Sequence, residues 1–271
     1  MDISLLPQVE NTPVYNHTKR PVRAILLAAG FGTRLRPLTD TVPKCLVPIK
    51  GKPLLEIWLE RLSRAGLGPF LVNTHYLADQ VAAFIQTSPY RDRVRLVREQ
   101  DLLGTAGTLI ANLDFFQGGD GLLVHADNYC LADFPAFVAA HRRRPPECVM
   151  TMMVFRTDTP SSCGIVELDE RRVVVGFHEK SADPPGNLAN GAVYILSAEL
   201  LEEIGRDLSH ARDFSTEIVP RFTGRIHTYR TTGTFLDIGT PENYEKANER
   251  ETPSIPGRTQ KSSSIPNPLE A

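Results

Sequence analysis

Residues 26–46, LLAAGFGTRLRPLTDTVPKCL, hold the densest set of chemistry-capable side chains in the chain. The apolar run from Ala24 to Leu27 empties into Ala29, Gly30, Phe31, Gly32 and Thr33, and the cations Arg34, Arg36 and Lys44 follow. Glycine lets backbone N–H groups approach phosphate oxygens, and nearby cations neutralise the charge those oxygens carry. An ordinary turn needs the glycines but not the two arginines and the lysine. The stretch therefore reads as a seat for a polyphosphate, with Ala29, Gly30, Gly32 and Thr33 as its backbone and Arg34 over the charge that builds on a leaving group. Arg36 is expected at the surface. Spacing excludes two familiar alternatives: Gly32-Thr33-Arg34 lacks the Gly-Lys-Ser/Thr of a Walker loop, and Leu35 stands where a dinucleotide fingerprint needs a third glycine.

Two aspartates stand in comparable settings. Asp127 follows the apolar run Leu122-Leu123-Val124-His125, and Asp237 closes Thr234-Phe235-Leu236-Asp237. A lone aspartate at a strand end commonly caps a turn. A pair of them beside a phosphate loop offers hard oxygen ligands for Mg²⁺ where it would meet the phosphates. Further along, Glu179 and Asn190 supply acceptor and amide groups suited to sugar hydroxyls, and Gly191 permits close backbone approach. Asn73 is a weaker candidate, because asparagine after a strand often only makes a turn. His75, His125 and His178 have no partner at metal-ligand spacing and receive no role; Lys50 and Lys52 are read as surface.

The extended string G-x-G-T-R-L-x-P-L-T (from Gly30), followed by Pro43-Lys44-Cys45-Leu46, resembles the sugar-phosphate nucleotidyltransferase family, the NDP-sugar pyrophosphorylases. The resemblance implies a Rossmann-like α/β fold of mixed, mostly parallel sheet and transfer of a nucleotidyl group from an NTP to a sugar 1-phosphate, with Mg²⁺ as cofactor. It implies that Lys44 acts on phosphate with Arg34. It also implies that the loop from Glu99 through Gly104 and Thr105 lies against the base, and that Lys180 holds the sugar phosphate. The form Glu99…Leu103-Gly104-Thr105-Ala106-Gly107 is similar to that of mannose-1-phosphate guanylyltransferases, which points to GTP and to mannose 1-phosphate or a manno-heptose 1-phosphate. Uridylyl or thymidylyl transfer stays open, as does a non-catalytic subunit that binds an NDP-sugar as a signal. The chain departs from the pattern at Ala126, where the family usually has glycine before the first metal aspartate.

These residues must be positioned by elements, and the sequence supplies them in alternation. Strand-like runs at 24–27, 70–72, 94–97 and 121–125 alternate with helical stretches at 53–65, 78–85, from about 105, and 134–141, the last with Asp133 as N-cap. Such alternation predicts parallel strands with helices on both faces. The second half predicts strands at 149–155, 164–168, 173–178, 192–196, 225–229 and 234–237. A hairpin is expected at Asp169-Glu170-Arg171, with helices at 198–204, 215–222 and from 241. One domain over 21–250 is expected, its nucleotide half about 21–145 and its sugar half about 146–250. Residues 1–20 read as an arm and 251–271, rich in proline and serine, as a disordered tail. No hexapeptide repeat is present, so no C-terminal β-helix is expected.

The bulk properties narrow the class further. The 271 residues are 41% hydrophobic and 23% charged, ordinary values for a globular chain with a sizeable core. A net charge of −2 argues against nucleic-acid or membrane-surface partners, so the cations act locally. Cys45, Cys130, Cys148 and Cys163 show no metal or redox spacing, and no signal-like or membrane-spanning run appears; a cytoplasmic protein is expected. Self-association into a homo-oligomer is left open.

Overall fold

The computed structural model describes residues 22–249; the expected arm and tail lie outside the described residues. The first half runs β1 (Arg23–Leu27), the short β2 (Pro48–Ile49) and β3 (Lys52–Pro53), α1 (Leu54–Arg64), β4 (Phe70–Thr74), α2 (Ala78–Thr87) and β5 (Val94–Arg98). It continues through α3 (Thr105–Ala111), β6 (Gly121–His125), β7 (Asn128–Cys130) and α4 (Phe134–Arg142). The second half comprises β8 (Met150–Arg156), β9 (Gly164–Leu168), β10 (Val174–Glu179), β11 (Leu188–Leu196), α5 (Ala198–Asp207), β12 (Ile226–Arg230), β13 (Phe235–Asp237) and α6 (Pro241–Glu249).

The main sheet runs β12-β8-β11-β6-β1-β4-β5, with only β11 opposed to its neighbours. The antiparallel β9–β10 hairpin joins β11 through the pair Ala189–Ile165. Alternate residues of β1 serve opposite cores. Ala24 and Leu26 pack with Leu55, Trp58 and Leu59 of α1 and with Phe137 of α4. Ile25 packs on the other face with Leu109 of α3 and with Leu200 and Ile204 of α5. Burial on both faces explains why β1 and β6 read as unbroken apolar runs rather than alternating ones.

The expected mixed sheet with helices on both faces is present. The short β2, β3 and β7 are not among the expected strands, β11 begins at Leu188 rather than 192, and one expected helix changes type: 215–222 is not an α-helix but a π-turn at Phe214–Ile218 running into a 3₁₀ turn at Val219–Phe222. Pro220 has no N–H to continue an α-helix, and Asp213 and Glu217 take up backbone N–H groups around the turn. No described helix is long and apolar enough to cross a membrane.

Candidate active site

A cavity of about 340 Å³ opens at the carboxyl ends of β1, β4 and β6, where an open α/β sheet collects ligands. The loop after β1 forms one wall. Gly32 takes a left-handed backbone (φ 64°), and its carbonyl accepts a hydrogen bond from the Thr39 hydroxyl at 2.8 Å. A side chain at Gly32 would press on Thr39 and Lys44, so the glycine is needed both for its φ and for space. Gly30, Thr33 and Arg34 are exposed at the mouth, whereas Ala29 is buried beneath them.

The opposite rim carries the acids. β7 and β13 pair antiparallel with Asn128 beside Asp237, and the Ile238 N–H donates to the Asp127 carbonyl at 3.3 Å. This small sheet brings the two aspartates together. Lys44 Nζ sits between them, 2.7 Å from Asp127 Oδ2 and 3.4 Å from Asp237 Oδ1, and Arg34 Nη2 lies 3.3 Å from Asp237 Oδ2. Lys44 is 7% exposed, unusual for a lysine and tolerable here because two carboxylates face it. Burial opposes ionisation of Asp127, but the Lys44 ammonium, His125 and the hydrogen bond from Lys44 outweigh it and hold the carboxyl below its ordinary value.

Another wall, at the ends of β4 and β5, is a buried polar network. Asn73 Oδ1 accepts from the Ala28 N–H at 2.7 Å, while Asn73 Nδ2 donates to Glu99 Oε1 at 2.9 Å and to Thr108 Oγ1 at 3.2 Å. Thr108 donates to the same Glu99 oxygen at 2.6 Å, and the Leu103 N–H donates to Glu99 Oε2 at 3.2 Å. Gly104, at φ 83°, lies so close to Arg212 that any Cβ would strike the Arg212 carbonyl. The Ala106 N–H donates to that carbonyl at 2.9 Å, and Thr105 Oγ1 accepts from the Phe214 N–H at 2.7 Å. The π-turn thus clamps the loop that opens α3.

Residues 23–254 match the model of the nucleotidyl transferase family. The chain belongs to that family. It is 30% identical over 226 residues to the mannose-1-phosphate guanylyltransferase of Mycobacterium tuberculosis, covering 82% of this chain and 62% of the relative. It is 31% identical over 240 residues to the mannose-1-phosphate guanylyltransferase catalytic subunit beta of Drosophila pseudoobscura pseudoobscura, covering 86% and 62% respectively. The chain therefore spans 62% of the length of these curated relatives. Among solved structures, HddC from Yersinia pseudotuberculosis complexed with GMP-PN is similar at 27% identity and a TM-score of 0.71, over 84% of this chain and 98% of that one.

The fold brings the expected nucleotide-side candidates into one place: Ala29, Gly30, Gly32, Thr33, Arg34, Lys44, Glu99, Gly104, Thr105 and Asp127 all line the cavity, and Asp237 is tied to its rim by Lys44 and Arg34. The sugar-side candidates sit apart from that lining. Glu179 ends β10 and Lys180 follows in a left-handed conformation, mostly exposed, its Nζ 3.7 Å from Glu179. Burial, offset in part by Lys180, raises the Glu179 carboxyl above its usual value, and Asp213 adds to the rise. Asn190 spends its amide on its own strand: Oδ1 accepts from the Ala192 N–H at 2.9 Å and Nδ2 donates to Tyr194 Oη at 2.6 Å, closing the bulge in β11. Gly191 leaves space in which a Cβ would press on the Met153 carbonyl and the Phe235 ring.

Several lining residues were not singled out from sequence. Thr108 has no motif of its own and matters through Glu99. His125 lines the cavity, its Nε2 buried without a hydrogen-bond partner, and burial holds its pKa down. Asp213, outside that lining, lies within electrostatic reach of both His125 and Glu179. Only the strand-end pattern of His125 was visible in advance; Asp213 sits in a turn whose form the sequence concealed.

Proposed function

We propose that the protein transfers a nucleotidyl group from an NTP to a sugar 1-phosphate, releasing pyrophosphate. The observation that carries this reading is the convergence on one cavity of a glycine-rich loop, the Arg34–Lys44–Asp127–Asp237 cluster and a buried base-side carboxylate. A sugar-phosphate oxygen attacks the α-phosphorus in line, one P–O bond forming as the bond to pyrophosphate breaks. The attacking phosphate is already anionic, so no general base is needed. Catalysis is positioning plus electrostatic stabilisation. The exposure of Arg34 at the mouth supports a role for it on the departing pyrophosphate.

The base preference we infer is guanine. An ionised carboxylate only accepts hydrogen bonds. Glu99 keeps acceptor capacity on Oε2, and guanine offers adjacent N1–H and N2–H₂ donors, where uracil and thymine offer a single N3–H. The two guanylyltransferase relatives and the GMP-PN complex of HddC support the same base. The relatives' names also support mannose 1-phosphate as acceptor, or a manno-heptose 1-phosphate of the same configuration, with Glu179, Lys180, Asn190 and Gly191 on that side.

Two carboxylates held together by an ammonium ion suit a hard divalent cation, and Mg²⁺ takes few protein ligands when phosphates complete its shell. Asp127 and Asp237 would hold it, and it would screen charge on the phosphates. Free thiols at all four cysteines fit a reducing, cytoplasmic compartment.

The test is pyrophosphate release with each NTP, Mg²⁺ and a panel of sugar 1-phosphates. GTP with a manno-configured sugar phosphate is expected to give the highest kcat/KM. Arg34→Ala should lower turnover by about 10²–10³-fold with the fold intact, the range for losing one transition-state donor. No release with any pair would defeat the reading. A folded Arg34→Ala variant with normal turnover would remove that residue from it.

A further inference from the structure

We propose that Asn73 is a positioning residue that locks the phosphate loop to the base wall, so that one side chain sets the distance between the two ends of the nucleotide. This rests on the nucleotide reading of the cavity given above. Asn73 is the fourth residue of β4, in register with Leu27 of β1 on one side and Val97 of β5 on the other. It is 3% exposed, and its partners Glu99 and Thr108 are 6% and 1% exposed. Leu27 is the last residue before the phosphate loop, and Glu99 is the first after β5, so Asn73 stands between the roots of both loops.

Its two ends do different work. Oδ1 fixes the first loop amide, Ala28 N–H, and Nδ2 donates to Glu99 and Thr108. Reversing the amide would set an NH₂ against the Ala28 N–H and an oxygen against the Glu99 carboxylate, so the network admits one orientation. Among the described residues, the Glu99 carboxylate has no cation as a hydrogen-bond partner; Asn73, Thr108 and the Leu103 N–H hold it. A buried carboxylate kept by neutral donors is sensitive to the loss of any of them. With Oε1 occupied by Asn73 and Thr108, Oε2 is the oxygen turned to the Leu103–Gly104 loop. No other side chain of similar size both accepts from Ala28 and donates to Glu99.

Three variants separate the two ends. Asn73→Asp keeps an acceptor for Ala28 but sets a second carboxylate against Glu99. Thr108→Val removes one donor to Glu99 and leaves the Ala28 bond alone. Asn73→Ala removes both ends. Dissociation constants are measured for pyrophosphate, which probes the phosphate loop alone, and for GTP and UTP. For Asn73→Asp and Thr108→Val the expected result is pyrophosphate affinity within about twofold of wild type. GTP affinity is expected to fall at least about tenfold and the GTP-to-UTP ratio to shrink, in keeping with the loss of a hydrogen bond to a charged group. For Asn73→Ala both pyrophosphate and GTP should weaken. Should Asn73→Ala fail to fold, the other two variants carry the test.

Wild-type GTP and UTP affinities in the first two variants, or parallel loss of pyrophosphate and nucleotide in them, would overturn the role. The wild-type ranking of NTPs tests the guanine reading separately. If another NTP binds tightest, that reading fails, and the split between pyrophosphate and nucleotide is read on the preferred NTP instead.

Discussion

Lys44 is the residue on which the acidic rim depends. Its ammonium bridges carboxylates that come from positions 83 and 193 residues away, so its near-complete burial is a tertiary outcome with no local signature beyond Pro43-Lys44. The pairing has a definite pH signature. Asp127 has a folded pKa below its unfolded value, so its stabilising contribution is complete above the unfolded pKa and is lost as pH falls through the lower folded one. Comparing wild type with Asp127→Asn, the difference in unfolding midpoint should stay level between about pH 7 and about pH 5 and close only below about pH 4. A difference that closes within the upper interval would mean that Lys44 does not hold Asp127 ionised. The same variant should need more Mg²⁺ for activity, because a neutral amide is a poor ligand for a hard dication. Unchanged activity at limiting Mg²⁺ would make Asp127 a structural cap.

At the scale of elements, the loop before α3 and the π-turn form one unit. Gly104 has both a positive φ and a backbone carbonyl where its Cβ would be, so Gly104→Ala cannot be absorbed by a rotamer change. We expect it to cost about 1–3 kcal/mol of stability, the scale of a strained backbone conformation. It should also raise the KM for NTP, and because the displaced turn carries Asp213, whose charge reaches Glu179, the KM for sugar phosphate should rise with it. Lys180→Ala, by contrast, should raise only the KM for sugar phosphate, since Lys180 pairs with Glu179 and lies outside the cavity lining. Steady-state kinetics with each substrate varied in turn reads the two patterns apart, and a Gly104→Ala protein with altered NTP binding alone would separate the turn from the sugar side.

Legibility followed the same division. β1, β6 and β9 were plain in the sequence because a strand buried on both faces, or bounded by glycine, shows as a run of apolar residues. β7 is three residues, too short for a period, yet its pairing with the expected strand β13 is what brings Asp127 to Asp237. The phosphate loop was legible because glycines and cations adjoin one another. The Asn73–Glu99–Thr108 network was not, because its members are 9 to 35 residues apart and each alone is an ordinary polar residue. The π-turn was misread as a helix because its apolar spacing is helical while its hydrogen bonding is diverted by Asp213, Glu217 and Pro220.

For the molecule as a whole, the two sides of the site differ in how completely the fold builds them. The nucleotide wall stands on the parallel core, its side chains bonded to one another and most of them buried. The sugar side rests on the hairpin β9–β10 and the bulged β11, with Lys180 largely in solvent and Asn190 turned to its own strand. A preformed wall binds without ordering cost, whereas a side that must gather its groups binds weakly until something else holds them. Nucleotide should therefore bind first. In thermal unfolding, a nucleotide analogue that cannot be cleaved between the α- and β-phosphates should raise the midpoint on its own, in step with RT ln(1 + [L]/Kd). Sugar 1-phosphate alone should raise it little at the same concentration, and should add a clear further shift once the analogue is bound, because the seated nucleotide then completes the wall against which the sugar phosphate docks. Equal stabilisation by sugar phosphate alone would show that its seat is already built, and the asymmetry between the two sides would have no bearing on the order of binding.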